Sequence, residues 1–153
     1  MTRSALEIVR SILADPKNLE HVRSLVTPDV TYVSLSHDDP DLRRIMPWCG
    51  TSQGPEAIVR TFVDVGHYWK VVDFRIESEL DDGENAAIFG RFTYESVVLS
   101  QTVTSPFAML CKASGGVCHF LQFMEDSFAT AKSFRRGGSW TIASDPDGNE
   151  IEV

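Results

Sequence analysis

The chain has 153 residues, 42% of them hydrophobic and 24% charged, which is enough for one domain with a core of its own. Its 22 acidic side chains outnumber 14 basic ones, giving a net charge of −8, so neither nucleic acid nor an anionic membrane surface is an expected partner. No apolar run reaches the ~20 residues of a membrane helix, no signal-peptide core opens the chain, and three cysteines form no C-x-x-C, so the reading is a cytoplasmic protein without a disulfide framework or a cysteine metal site.

The first helix is predicted from Ala5, Leu6, Ile8, Val9, Ile12 and Leu13 at helical spacing, with Ser4 and Glu7 as a capping box and Asp15-Pro16 as its stop. A short second helix carries Leu19, Val22, Leu25 and Val26 and ends at Thr27-Pro28. "DVTYVSLS" reads as a strand, and "HDDPDLRRIMPWCGTSQ" as a loop. "GPEAIVRTFVDVG" is a third helix with Pro55 at its first position and Ala57, Ile58, Thr61, Phe62 and Val65 facing inward. The period then drops to two. "KVVDFRIESEL", "NAAIFGRFTYESVVL", "VTSPFAMLCKA" and "GVCHFLQFMED" read as four consecutive strands joined by short turns, hence an antiparallel meander, and "SFATAKSF" as a closing helix. A turn between Ser114 and Gly115 would set Cys111 opposite Cys118, two small apolar residues of a sheet.

The tail "SDPDGNEIEV" places Asp145, Asp147 and Asn149 at alternate positions, like the start of a calcium loop. Only nine residues remain from Asp145 onward and the glycine falls at the wrong place, so "DPDGN" is expected to turn a terminal hairpin, and no metal site is assigned. The four histidines show no ligand spacing, and no cofactor is expected.

Three helices with one strand among them, then four long strands, make an α+β chain. The unit "LADPKNLEHVRSLVTPDVTYV", the pattern "GPEAI" followed by Phe62, and a last strand running into "FMEDSFA" resemble the NTF2-like superfamily, in particular its SnoaL-like (polyketide cyclase and ketosteroid isomerase-like) branch. That resemblance implies a cystatin-like cone, with three N-terminal helices packed on a curved, mainly antiparallel sheet around a ligand cavity. The family domain would cover residues 1–136, and 137–153 would be a C-terminal hairpin extension of it. The isomerase acids and tyrosine fall on Ser34, Ala108 and Arg10, and the epoxide-hydrolase triad leaves only Arg91, with Thr93 and Phe123 at its carboxylate positions. Neither chemistry is carried over intact.

Residues of one parity share a face of a strand. With the family cavity behind the sheet, His119, Leu121, Phe123 and Glu125 of the last strand and Phe89, Arg91, Thr93 and Glu95 of the middle one are expected to line it. Glu125 on an apolar wall would carry a raised pKa and serve as acid or base, and Arg91 would anchor an anion, unless it pairs with Glu125 or Glu95. His37 and His119 are further candidate bases. Tyr32, Trp48, Phe62, Tyr68, Trp69, Phe89, Thr93 and Phe123 are the candidate binding residues for a small, largely apolar organic molecule. Asp126 is expected to cap the helix after it. Two functions stay open: a lyase or isomerase acting on a carbonyl compound, and a non-catalytic binding or dimerisation module. The homodimer would form through the outer sheet face, with Phe107, Met109, Phe120 and Met124.

Overall fold

The computed structural model describes all 153 residues. Helix α1 (Ala5–Ala14) opens on the expected capping box, in which Glu7 N–H donates to Ser4 Oγ and Ser4 N–H to Glu7 Oε2. Its buried stripe is Ala5, Ile8, Val9 and Ile12. Helix α2 (Leu19–Arg23) is capped by Asn18 and stops three residues earlier than its apolar pattern, because Val26 already belongs to strand β1 (Val26–Ser34).

The segment read as a loop is partly regular. Asp39 caps a short helix α3 (Pro40–Ile45), and β2 (Gly50–Gln53) pairs antiparallel with β1. Both elements are too short for periodicity to reveal. Pro55 then starts α4 (Pro55–Tyr68), after Gly54 turns the chain with φ 92°.

Strands β3 (Trp69–Asp81), β4 (Asn85–Ser96), β5 (Thr102–Ser114) and β6 (Val117–Glu125) form the antiparallel meander, and β1 joins β6 in parallel. The order across the six-stranded sheet is β2-β1-β6-β5-β4-β3. Helices α1 and α4 cover one face and enclose the core between helix and sheet. Gly115 and Gly116, both with positive φ, form the β5–β6 turn, so Ser114 faces Val117 and Cys118 faces Ala113 rather than Cys111. The register then shifts: Lys112 faces Phe120 and His119 has no partner. This bulge reverses the parity of β6.

Asp126 caps α5 (Ser127–Lys132) by accepting from Ala129 N–H, as expected. The tail forms a separate two-stranded ribbon, β7 (Thr141–Ile142) with β8 (Ile151–Glu152). Asp145 closes its turn by accepting from Asp147 N–H and Asn149 Nδ2, so the first acid of the apparent cation loop is used on the turn itself. No helix is long and apolar enough to cross a membrane.

Candidate functional site

Between α4 and the concave face of the sheet lies a cavity of about 40 Å³, measured to the centre of a water-sized sphere. A single water needs ~10–15 Å³ on that measure, so the space suits a few waters or a one-ring molecule. Each wall follows from strand or helix geometry. The inward parity of β1 contributes Tyr32 and Ser34, that of β6 Phe123 and Glu125, and β4 adds Tyr94. Thr61, Phe62 and Val65 come from the inner stripe of α4, Trp69 and Phe74 from β3, and Trp48 from the segment after α3.

The wall is mostly aromatic. Phe107 stacks on Phe123 at 5.4 Å and on Phe74 at 4.7 Å, and Phe92 on Tyr94 at 4.0 Å. Trp69 is pinned at both ends of its ring system, by Nε1–H donating to Ser133 Oγ at 2.9 Å and by Phe134 stacked at 4.7 Å. Gly90 sits in the middle of this wall. A β-carbon there would lie 2.2 Å from the Arg75 carbonyl oxygen and 2.6 Å from the Phe107 ring, so the absence of a side chain lets the ring lie against the strand.

Into this apolar chamber project a few oxygens. Glu125 Oε2 is fully enclosed and has no hydrogen-bond partner. Burial pushes the Glu125 carboxyl up to about 7, only partly offset by a hydrogen bond from Thr130 and reinforced by the neighbouring charge of Asp126. Burial also pushes the Tyr32 phenol up to about 12, against the opposing hydrogen bonds with Ser34 and Thr61. Tyr94 is raised as well, first by burial and then by the negative charge of Glu125. Both phenols therefore stay protonated across the range in which Glu125 titrates. The chamber offers one acid or base poised near neutrality and two O–H donors.

The structure brings together Glu125, Tyr32, Trp48, Phe62, Trp69 and Phe123 from the expected set. It places the others elsewhere. On β4 the inward parity is Ala86, Ile88, Phe92 and Tyr94, so Phe89, Arg91 and Thr93 lie on the opposite, outer face. Arg91 there donates to Glu77 Oε1 at 2.7 Å, and Thr93 bonds Thr104 across the strands at 2.8 Å. Arg91 therefore neither anchors a ligand in the cavity nor pairs with Glu125. His119 is turned out to solvent by the β6 bulge, and His37 is exposed in the loop after β1, where its carbonyl accepts from Thr51. Tyr68 lies behind the wall, edge-on to Trp48 at 5.1 Å, and faces an outer groove instead. Of the isomerase-equivalent positions, Ser34 lines the cavity, while Arg10 pairs with Glu79 on the surface. Tyr94, Ser34 and Thr61 were not among the candidates. The signal for Tyr94 was its parity with Ile88 and Phe92, since the other parity of β4 carries the charges of Arg91 and Glu95.

No family model matches the sequence. The chain is 42% identical over 131 residues to patulin synthesis protein F of Aspergillus clavatus and 40% identical over 131 residues to patulin biosynthesis cluster protein F of Penicillium expansum. Each match covers 83% of this chain and 66% of the relative, just under two thirds of its length. Among solved structures, an NTF2-like protein of Burkholderia thailandensis superposes with a TM-score of 0.72 at 18% identity, covering 88% of this chain and 99% of the other. TerC, crystallised with polyporic acid, gives 0.67 at 18% identity over 84% and 95%. A protein of Mesorhizobium loti described as a SnoaL-like polyketide cyclase gives 0.58 at 15% identity over 78% and 93%. The fold, with α1 and α4 laid across a curved six-stranded sheet, is that of the NTF2-like proteins.

Proposed function

We propose that the cavity binds a small, one-ring oxygenated molecule and that Glu125 moves a proton on it, in a lyase or isomerase reaction of a carbonyl compound. The single observation that carries this reading is Glu125 Oε2, enclosed among aromatic rings without a partner. A buried carboxylate oxygen left unpaired has a large desolvation cost, and a ligand group is the partner that would offset it. In its ionised form Glu125 takes a proton from carbon next to the ligand carbonyl. The electron pair moves onto the carbonyl oxygen, and a phenolic O–H of Tyr32 or Tyr94 stabilises the developing enolate. Glu125 then returns the proton to a second carbon, which isomerises the ligand, or to a departing hydroxyl, which dehydrates it. The names of the two relatives tie them to patulin synthesis, and TerC was crystallised with polyporic acid; both support a small-molecule role.

The test is a thermal-shift screen of one-ring ketones and enones, followed by proton–deuterium exchange of each hit in D2O by NMR. Exchange catalysed by the wild type and lost in Glu125→Gln supports the reaction. Binding without exchange leaves a carrier, and exchange that survives Glu125→Gln overturns the assignment of the base.

A homodimer through the outer sheet face is a second proposal, carried by the large apolar side chains exposed there. Phe89 is 47% and Met124 50% exposed, while Phe107 and Met109, expected on that face, are buried in the core. The patch is therefore Phe89, Ala108, Leu110, Phe120 and Met124. Met124→Glu should convert a dimer to a monomer in sedimentation; a wild type that already sediments as a monomer removes this proposal.

A further inference from the structure

A second recess lies on the far side of the aromatic wall. It is a groove of about 490 Å³ between the end of α4, the β4–β5 turn and the segment after α5, and it includes Tyr68, Val97, Val98 and Phe134. A smaller groove of about 260 Å³ adjoins it, sharing Ile45 and Phe134. Their apolar surface is open: Val98 is 80% exposed and Val97 45%. The charge at this place runs against the rest of the chain. The basic residues lining the two grooves are His67, Lys132, Arg135 and Arg136, and no Asp or Glu lines either, although acids outnumber bases 22 to 14 overall. Arg135 is used internally, donating to the carbonyls of Gly137, Gly138 and Val153, and Lys132 lies over the Phe128 ring at 5.1 Å. Arg136 has no ion-pair partner.

We infer that this double groove is a second ligand site, separate from the Glu125 cavity, for an amphipathic organic anion: an apolar chain or ring along Val97, Val98 and Ile45, with its carboxylate at Arg136. Size favours a small molecule over a protein, since the larger groove lies in the range of ligand pockets and both are bounded by a few side chains. Charge favours an anion, because a cationic rim on a chain of net charge −8 is a local well of positive potential. Continuity favours a ligand long enough to reach both, because the two recesses share Ile45 and Phe134 in their walls. The site backs directly onto the inner cavity. Tyr68 stands edge-on to Trp48 and Phe134 stacks on Trp69, so one aromatic layer separates the two.

The experiment uses octanoate and octanol as probes of the full chain, read by calorimetry and by tryptophan fluorescence. Octanoate is expected to bind more tightly than octanol. Arg136→Gln should weaken octanoate about threefold to tenfold and leave octanol unchanged, as loss of one partly exposed charge-assisted contact would do. Val98→Asp, on an exposed turn where the fold tolerates it, should weaken octanoate by about tenfold or more through repulsion and loss of apolar contact. Three results would overturn the site: no octanoate binding at millimolar concentration, equal binding of octanoate and octanol, or octanoate binding that neither substitution changes. The last would place the probe in the inner cavity. Because neither substitution touches Glu125, failure here leaves the proposed proton transfer standing.

Discussion

Replacing Glu125 by Gln tests the electrostatics of the cavity without any ligand. The carboxyl has a pKa of about 7 in the folded chain and an ordinary 4.5 when unfolded, so the folded chain holds that proton about 300-fold more tightly, which is ~3 kcal/mol. The sign follows from proton counts. Below pH 4.5 both states are protonated and the group costs nothing. Between pH 4.5 and about 7 the folded state binds more protons than the unfolded one, so stability falls as pH rises, and above 7 the whole cost is present. Glutamine keeps the shape and cannot ionise. Urea unfolding followed by tryptophan fluorescence at pH 5 and pH 8.5 should therefore show the variant gaining ~2–3 kcal/mol on the wild type between the two, since part of the cost is already present at pH 5. For a chain of this size, that gain is a rise of roughly 5–12 °C in relative Tm. A change in the gap smaller than about 1 kcal/mol would mean that Glu125 is solvated or paired, and the reasoning about the cavity would fail with it.

Gly90→Ala should destabilise the domain by ~1–3 kcal/mol or more in the same melts, because its methyl group would collide with the Arg75 carbonyl and the Phe107 ring; a neutral result would show that β3 moves freely at this edge. Trp69→Phe removes the buried bond to Ser133 Oγ and should cost ~1–3 kcal/mol, measured by urea unfolding followed by circular dichroism. Tyr94→Phe should leave the fold intact and weaken any oxygenated ligand about tenfold in calorimetry, if its phenol donates to the ligand. Ser4→Ala breaks the capping box and should lower stability by about 1 kcal/mol.

What could be read from the chain alone is what repeats within a few residues. The α1 capping box, the Pro55 start of α4, the Asp126 cap and the "DPDGN" turn are local bonds made by neighbours in sequence, and the structure contains them as read. The order of helices and strands, and with it the α+β cone, follows from the change of period from 3.6 to 2. The face that a strand turns inward is not local in this sense. On β6, one unpaired residue opposite the β5 turn puts Cys118 and Leu121 on the same side and sends His119 outward, and no alternation within β6 reveals a bulge that depends on its partner. On β4 both parities carry apolar residues. Only packing against α1 and β5 decided that Ile88, Phe92 and Tyr94 face the core, and that Phe89, Arg91 and Thr93 face away. The site inherits this division. Glu125 was legible as an acid on an apolar wall. Its partnerless oxygen, the two tyrosines beside it and the basic groove behind Trp48 arise from residues far apart in the chain, whose meeting is set by tertiary packing.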